Sequence, residues 1–275
     1  MRRSKVKTVV IYAGAIFVIL FTLTPYLLTI FISLQREVDL FTRPPFPFKL
    51  VTFTLDNYAY ILRYEPFLTG FLHSALVAIA TTGFVLLAGS LGAYAISHIN
   101  FPGKTLLFNF IVVVYMLPGL AMLIPAVVLL KTLGLLDTFI GMIFAHSIIL
   151  LPLMTWFLIG IFESVPKDID EACQIDGYSR FKSLFKMIIP LSKFGFFMIL
   201  VFCFINSWND LMFANTVGIV NIKLLQPRIL EFMSGARVLY TQLAAAGFLS
   251  SLPVVALSIL LQKQIVKGIM KGAVK

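Results

Sequence analysis

The chain has 275 residues, of which 60% are hydrophobic and only 12% charged, and its mean hydropathy is +0.98. A soluble domain is about 45–50% apolar and about 25% charged, so this chain has too few charges to cover a water-facing surface. The net charge of +10 would suggest a nucleic-acid partner in a soluble protein, but here the charges form short islands between long charge-free runs, which indicates a polytopic membrane protein that binds lipid and no nucleic acid.

In chain order, six apolar stretches are long enough to cross a bilayer, which takes about 20 residues. Backbone amides find no partner in hydrocarbon, so we expect these stretches to be helical. A β-barrel would need short alternating segments, which runs such as residues 148–153 do not show. The predicted fold is therefore all-α, with one transmembrane domain over residues 1–275. The predicted spans are Thr8–Leu34, Leu68–Ile96, Thr105–Leu130, Thr138–Phe162, Phe194–Phe213 and Leu243–Gln262.

The first span resembles a signal peptide in the basic residues that precede it. Its apolar run is longer than an h-region of about 7–15 residues, and no small-residue cleavage site follows, so we expect a retained helix.

With the N-terminus in the cytoplasm, the inner islands hold 14 of the 22 lysines and arginines, which agrees with the positive-inside rule. Six spans then return the C-terminus to the cytoplasm. Long outer loops lie near residues 35–67 and 214–242, and a long inner loop lies near residues 163–193.

No residues in the chain are suited to hydrolysing ATP. Residues 102–105 read Pro-Gly-Lys-Thr, like the end of a phosphate-binding loop, but His98 stands where that loop needs its first glycine, and no strand is expected before it. We therefore expect ATP and Mg²⁺ to bind a partner and no cofactor to bind this chain. Cys173 and Cys203 fall at different depths, which predicts neither a disulfide nor a metal site.

A carrier powered by an ion gradient is disfavoured because the span interiors contain only His73 and His146 as ionisable relay candidates, and Asp210 lies close to the outer end of the fifth span. We expect each histidine to hydrogen-bond to a neighbouring helix. A self-powered secondary transporter remains a less favoured alternative. An intramembrane enzyme would need a nucleophile, an acid pair or a metal cluster within the spans, and the sequence contains none of these.

The inner loop predicts a short helix over about residues 166–176. Pro166 suits its first turn, and Gly177 suits the position just after its end, where the backbone often adopts a positive φ. Acidic residues near the start complement the helix dipole. They are Asp168, Asp170 and Glu171.

Apolar spacing predicts how the two helices of this loop present their side chains. Ile169, Ala172 and Cys173 would form one small apolar face. Ser179 can cap a second helix, which Pro190 would end or kink before the fifth span. The apolar face of this second helix is predicted to contain Phe181, Leu184, Phe185 and Ile188. A pair of amphipathic helices lying on the membrane surface would account for the same pattern.

The loop also contains a spaced motif: Glu-Ala-Cys, three residues, glycine, nine residues, and then Met-Ile-Ile-Pro. This motif resembles the "EAA" loop of ABC importer permeases, with three conservative departures at Cys173, Met187 and Ile189. The resemblance implies that the short helix docks in a cleft on an ATPase subunit and transmits its closure to the spans. The residues that it assigns to ATPase coupling are Glu171, Ala172, Cys173, Asp176, Gly177 and Pro190.

Four further segments are similar to the carbohydrate-uptake branch of these permeases, and most similar to the second permease of maltose- and glycerol-phosphate-type systems. They are Phe53–Tyr58, Leu133–Thr138, Ser207–Asp210 and Lys267–Lys275. The resemblance implies a bacterial inner-membrane importer of a sugar or oligosaccharide, with a phosphorylated polyol such as glycerol phosphate as the alternative. It also implies a heterodimer with a second permease, two ATPase subunits and an extracytoplasmic solute-binding protein.

Two further regions are candidates for function. The tail bears lysines at every fourth position from Lys263 to Lys275, which suits a positive-inside anchor or anionic lipid. The resemblance also places the tail against the ATPases, through Gly272, Ala273, Val274 and Lys275. A candidate solute path offers amides, hydroxyls and aromatic faces, which suit sugars. Its residues are Asn206, Ser207, Trp208, Asn209 and Tyr115, although an interfacial aromatic belt with capping residues would account for the same pattern.

Overall fold

A computed structural model describes residues 5–41, 53–233 and 238–273 of the chain, and within these ranges it contains helices and no strand. The all-α prediction is therefore confirmed for the described residues. The α-helices are α1 Lys5–Ser33, α2 Asp56–Arg63, α3 Glu65–His98, α4 Lys104–Met116, α5 Gly119–Thr132, α6 Phe139–Glu163, α7 Lys167–Ile175, α8 Arg180–Ser183, α9 Ile189–Leu191, α10 Lys193–Asn209, α11 Met212–Val217, α12 Leu225–Leu230 and α13 Tyr240–Ala273. Glu37–Phe41 and Glu231–Met233 form 3₁₀ turns, and Leu184–Ile188 forms a π-helical turn.

Four of these helices, α1, α3, α6 and α13, are long and apolar enough to cross a membrane by themselves. The number rises to six if α4 with α5, and α8–α9 with α10, each count as one broken span. These four to six candidate spans confirm the prediction of a polytopic membrane protein with about six spans. The side of the membrane on which each terminus lies stays a prediction.

The third predicted span, Thr105–Leu130, is divided. Helices α4 and α5 meet at an angle of 102° across Leu117 and Pro118. Leu117 has an extended backbone with ψ of 131°, because the ring of a following proline disfavours helical geometry, and Pro118 has no amide hydrogen to continue the helix. A hydropathy pattern shows only that this stretch is apolar, so it did not reveal the break.

The fifth predicted span, Phe194–Phe213, ends earlier than expected. Helix α10 stops at Asn209, and its 17 residues make it about 25 Å long. Asp210 leaves the helix with ψ of 125°, and its carboxylate accepts the backbone amides of Phe213 and Ala214 at 2.9 and 3.0 Å. The carboxylate of Asp210 thus satisfies two amides of the short helix α11, which a break at Asp210 and Leu211 separates from the span.

The described residues fall into two compact units, Met1–Leu68 with Arg228–Leu252 and Thr69–Pro227 with Pro253–Lys275. A single permease domain over residues 1–275 stays a prediction. In the first unit, α1 exposes apolar side chains from Val9 to Leu28, a surface that lipid or another protein must cover.

The first unit also contains a buried polar network around Asn57. Its amide Nδ2 donates to the carbonyl oxygens of Ser33 and Gln35 at 2.8 and 2.7 Å, and its Oδ1 accepts the hydroxyl of Thr241 at 3.1 Å. The carboxylate of Glu37 accepts the backbone amide of Thr241 at 2.9 Å and so caps the start of α13. The Phe53–Tyr58 motif therefore joins the end of α1 to the start of the last span.

The second unit has two apolar clusters arranged along α6. One surrounds Met154, Leu158 and Phe162, and it includes side chains from α3, α10 and the segment 184–188. The other surrounds Met142 and Ala145, and it includes side chains from α5, α11 and residues 222–224. The first cluster fixes the inner loop to the spans, and the second fixes the segment after α11.

Candidate functional site

Helix α7 has clear start and stop signals, and both lie close to where the sequence predicts them. Pro166 is its N-cap residue rather than its first helical residue, and Asp176 is its C-cap. Gly177 follows with φ of 81°, the positive value predicted for this position. The amide of Gly177 bonds to the carbonyl of Gln174 at 3.0 Å, and that of Tyr178 bonds to the carbonyl of Cys173 at 2.9 Å. This pair of bonds is a Schellman motif, which needs a left-handed residue where Gly177 stands.

The outer face of α7 is open. Glu171 and Ala172 are exposed, and Ile175 is 87% exposed although it is apolar. Asp176 and Gly177 continue this exposed surface at the end of the helix. Glu171, Ala172, Ile175, Asp176 and Gly177 thus belong to the surface of α7 and its end that this chain leaves uncovered.

The inner face of α7 differs from the prediction. It consists of Ile169, Asp170 and Cys173, whereas Ala172 lies on the exposed side. Ile169 contacts the core cluster around α6, and Cys173 is only 7% exposed. Cys173, one of the residues assigned to coupling, therefore faces this chain rather than a partner.

Asp170 is the functional candidate that sequence reasoning missed. It is 3% exposed, and its carboxylate accepts the hydroxyl of Tyr94 at 2.8 and 2.9 Å and the hydroxyl of Ser183. The sequence did contain a signal, because on a helical wheel Asp170 lies about 60° from Cys173, at the edge of the apolar face. A charge placed on an apolar face predicts a buried polar partner.

The second helix of the loop begins as predicted. The hydroxyl of Ser179 accepts the amide of Lys182 at 3.3 Å and caps α8. Its apolar face is smaller than expected, since Leu184 and Ile188 are fully buried whereas Phe181 and Phe185 are partly or largely exposed. The two phenylalanine rings instead contact each other, with centroids 4.7 Å apart.

Pro190 has the predicted effect on the chain. It has no amide hydrogen to donate, and the residues just before it, Leu184–Ile188, adopt a π-helical turn. The chain then bends by 89° at Ser192, where α10 begins. Pro190 itself is exposed.

The candidate solute path is divided between exposed and buried positions. Asn206 and Asn209 are exposed, and Tyr115 is 43% exposed with its ring stacked on Trp156 at 5.9 Å. In contrast, Ser207 is 3% exposed and Trp208 only 1%. Neither of these two side chains offers a surface to a solute in this conformation, and their assignment to the path stays a prediction.

Trp208 and Ser207 have packing roles instead. The indole of Trp208 contacts the rings of Phe71 and Phe204, with centroids 5.2 and 5.8 Å away. Burial also rules out the alternative interpretation of Trp208 as an interfacial tryptophan in this conformation. The hydroxyl of Ser207 lies 2.7 Å from Nδ1 of His146.

His146 is hydrogen-bonded to a neighbouring helix, as predicted, whereas His73 is hydrogen-bonded to a non-helical segment. His146 is buried between Ser207 and Asp210, with its Nε2 atom 3.4 Å from the carboxylate. His73 contacts the carbonyl oxygen of Lys223 at 3.2 Å through Nδ1. The contacts of His146 join α6 to the end of α10, and the contact of His73 joins α3 to the segment after α11.

The Leu133–Thr138 motif builds a connection that the sequence did not indicate. Gly134 ends α5 with φ of 67°, and Thr138 caps α6 by accepting the amide of Gly141 at 3.1 Å. Between them, Asp137 adopts φ of 58°, a left-handed geometry that aspartate tolerates better than most residues. Its carboxylate accepts the backbone amides of four consecutive residues at 2.8–3.2 Å. These residues are Ile219, Val220, Asn221 and Ile222, in the loop near residues 214–242.

The tail is described only in part. Gly272 and Ala273 belong to the last turn of α13, and Val274 and Lys275 lie outside the described residues. Contact between the tail and an ATPase therefore stays a prediction.

Comparison with known proteins gives consistent matches. The family model described as "Binding-protein-dependent transport system inner membrane component" matches residues 85–271. The trehalose/maltose transport system permease protein MalG of Thermococcus litoralis is 30% identical over 280 residues, which cover 100% of this chain and 99% of that protein. The trehalose transport system permease protein SugB of Mycobacterium tuberculosis is 29% identical over 227 residues, which cover 82% and 83% of the two chains.

A solved structure shares the fold. It is the crystal structure of a bacterial ABC transporter involved in the import of the acidic polysaccharide alginate, and the matching chain has a TM-score of 0.75. The match covers 96% of this chain and 99% of that chain at 21% identity. At this identity the similarity shows the fold alone.

Proposed function

Because the chain belongs to the family of binding-protein-dependent transport system inner membrane components, we propose that it is the transmembrane subunit of an ATP-driven importer for a sugar or oligosaccharide. As a family member it is a multi-pass inner-membrane permease with no catalytic role. The observation that carries the coupling part of the proposal is helix α7. It is fixed to the spans on one face and presents Glu171, Ala172 and Ile175 on the other.

Two ATPase subunits would supply the energy, and ATP and Mg²⁺ would bind to them rather than to this chain. The segment before α4 fits this division of labour, because His98 replaces the glycine of a phosphate-binding loop and a helix, α3, precedes it. A second permease would complete a heterodimer, and an extracytoplasmic binding protein would deliver the solute. Lipid and this second permease would cover the exposed apolar surface of α1.

The proposed cargo is a neutral, polyhydroxylated solute. Two relatives named above are described as trehalose or trehalose/maltose permeases, which supports a carbohydrate. Within the predicted spans there is no lysine or arginine. A phosphate or carboxylate would be costly to move through a low dielectric without such a cation, whereas hydroxyls need only amides and aromatic faces. Asn206, Asn209 and Tyr115 are exposed groups of this kind.

The test is ATP hydrolysis by the complete complex, reconstituted with its binding protein loaded in turn with candidate ligands. We expect stimulation by a neutral oligosaccharide. Stimulation by a phosphorylated polyol such as glycerol phosphate and by no neutral sugar would contradict the proposed cargo and support the alternative. That result would require the second permease to supply the missing cation.

A further inference from the structure

Asp170 joins three helices through one buried carboxylate. Oδ1 and Oδ2 lie 2.8 and 2.9 Å from the hydroxyl of Tyr94, which donates to both. The hydroxyl of Ser183 donates to Oδ1, and the amide of Gln174 lies 3.4 Å from Oδ2. Tyr94 belongs to α3, Asp170 to α7 and Ser183 to α8. The carboxylate therefore lies where a membrane span meets the inner loop.

Because Tyr94 lies near the end of a membrane span, its contact with Asp170 can transmit movement between α7 and that span. Tyr94 lies in the last two turns of α3, which spans the membrane and ends at His98. Its side chain is held on the other side by His98, whose ring is stacked on the phenol with centroids 5.4 Å apart and an angle of 18°. Tyr94 is 4% exposed, so the surrounding protein restricts the movement of the phenol. A displacement of α7 must therefore either break the hydrogen bonds or move the end of α3.

Asp170 differs from its neighbours on α7 in the strength and direction of its contacts. Ile169 and Cys173 make apolar contacts, which can slide with little loss. Hydrogen bonds to an ionised carboxylate are short and directional, and they are roughly twice as strong as neutral ones. Through these bonds, Asp170 links the nine-residue helix α7 directly to Tyr94 of a span.

We propose that Asp170 is a positioning residue for coupling, and that the Tyr94–Asp170–Ser183 cluster transmits movement of α7 to α3. The inference rests on the proposed function, in which an ATPase subunit moves α7 through its exposed face. Loss of the cluster would leave that exposed face intact. The ATPase would still bind and hydrolyse ATP, but fewer of its hydrolysis cycles would move the spans and import solute.

The experiment uses the complete complex in proteoliposomes and measures ATP hydrolysed per solute imported. Asp170→Asn removes the charge, and Tyr94→Phe removes a single hydroxyl. We expect each to raise the ratio on the order of tenfold, within the usual range of coupling between two sites. The double variant should be no worse than the stronger single variant, because both remove the same bond.

Two controls separate coupling from folding. Asp56→Asn removes the same charge from the exposed start of α2, outside the inner loop, and it should leave the ratio unchanged. Asp170→Glu keeps the charge and both acceptor oxygens, and it should restore part of the coupling. If Asp170→Asn fails to assemble, Tyr94→Phe decides the question, because it changes no charge and little volume.

An assembled Asp170→Asn or Tyr94→Phe complex with the wild-type ratio would overturn the inference. Reduced complex yield with an unchanged ratio would also overturn it, because the cluster would then only stabilise the loop. Failure of the proposed function gives a different result, in which the wild-type complex shows no ATP-driven uptake.

Discussion

Replacement of Asp137 by asparagine is a sharp test of how the structure holds its segment after α11. One oxygen of the carboxylate accepts the amides of Ile219, Val220 and Ile222, and the other accepts both the backbone and the side-chain amide of Asn221. Asparagine also tolerates the positive φ of this position. Asp137→Asn therefore changes the hydrogen bonds without adding backbone strain.

The expected loss follows from the geometry. Asparagine keeps one acceptor oxygen, but its NH₂ group would face the two amides of Asn221, so two bonds to a charged acceptor disappear. Each such bond contributes about 1.5–3 kcal/mol, and partial solvent exposure of Asp137 reduces the sum, so we expect about 3 kcal/mol. That value corresponds to about 100-fold faster hydrogen exchange at the amides of residues 219–222, if they exchange by local opening.

Hydrogen exchange of the purified complex measures this directly. Asn221→Ala is the graded control, because it removes only the side-chain bond at 2.8 Å and should cost about half as much, roughly 1.5 kcal/mol. Unchanged protection of residues 219–222 in Asp137→Asn would refute the view that this carboxylate holds the segment. Equal losses of protection in Asp137→Asn and Asn221→Ala would show that the backbone hydrogen bonds to Asp137 add nothing to the side-chain bond, which would contradict the expected difference.

The same carboxylate predicts a dependence on pH. Burial raises the pKa of Asp137, but the backbone hydrogen bonds from Asn221, Ile222, Val220 and Ile219 outweigh it and leave the pKa below its ordinary value. A depressed folded pKa means that the stabilisation is complete above the unfolded pKa of about 3.9 and is lost as the pH falls through the folded pKa. Protection factors in the wild-type segment should decline in that acidic range, whereas those of Asp137→Asn should not.

Three further predictions concern other parts of the chain. Gly177→Val places a β-branched residue at φ of 81°, which costs at least about 1–2 kcal/mol. It should uncouple ATP hydrolysis from uptake while the complex stays in the membrane. Normal uptake would show that the loop is only an amphipathic segment on the membrane surface. Gly141→Ala would bring a methyl group into collision with the carbonyl oxygen of Leu135, so the yield of folded protein should fall. A variant with the wild-type yield and melting temperature would contradict this packing. Reporter fusions after Lys49 and after Lys186 should report opposite sides of the membrane, and agreement between them would refute the predicted topology.

Local sequence signals predicted several elements closely, for physical reasons. The first, second, fourth and sixth predicted spans correspond to α1, α3, α6 and α13, because long apolar segments in a membrane must satisfy their own backbone. The end of α7 was predicted well because Gly177 is suited to a left-handed position, and the start of α8 because Ser179 is a strong cap. Each of these signals consists of residues that are close together in the sequence.

The remaining features depend on contacts between distant residues. Asp137 reaches residues more than 80 positions away, and Asp170 meets Tyr94 across 76 positions. The burial of Trp208 depends on Phe71, which a pattern of polar residues around position 208 does not reveal. Apolarity alone likewise did not distinguish a continuous third span from one broken at Pro118.

The central claim is that ATP on a partner, rather than an ion gradient, drives solute through this chain. The most direct measurement is uptake of a radiolabelled neutral oligosaccharide into proteoliposomes that contain the permease pair and the ATPases, with binding protein on the outside. We predict uptake that requires ATP and Mg²⁺ at the ATPase side, stops when the ATPase is inactivated and persists when ionophores dissipate the proton and sodium gradients. Uptake without ATP that the ionophores abolish would contradict the claim.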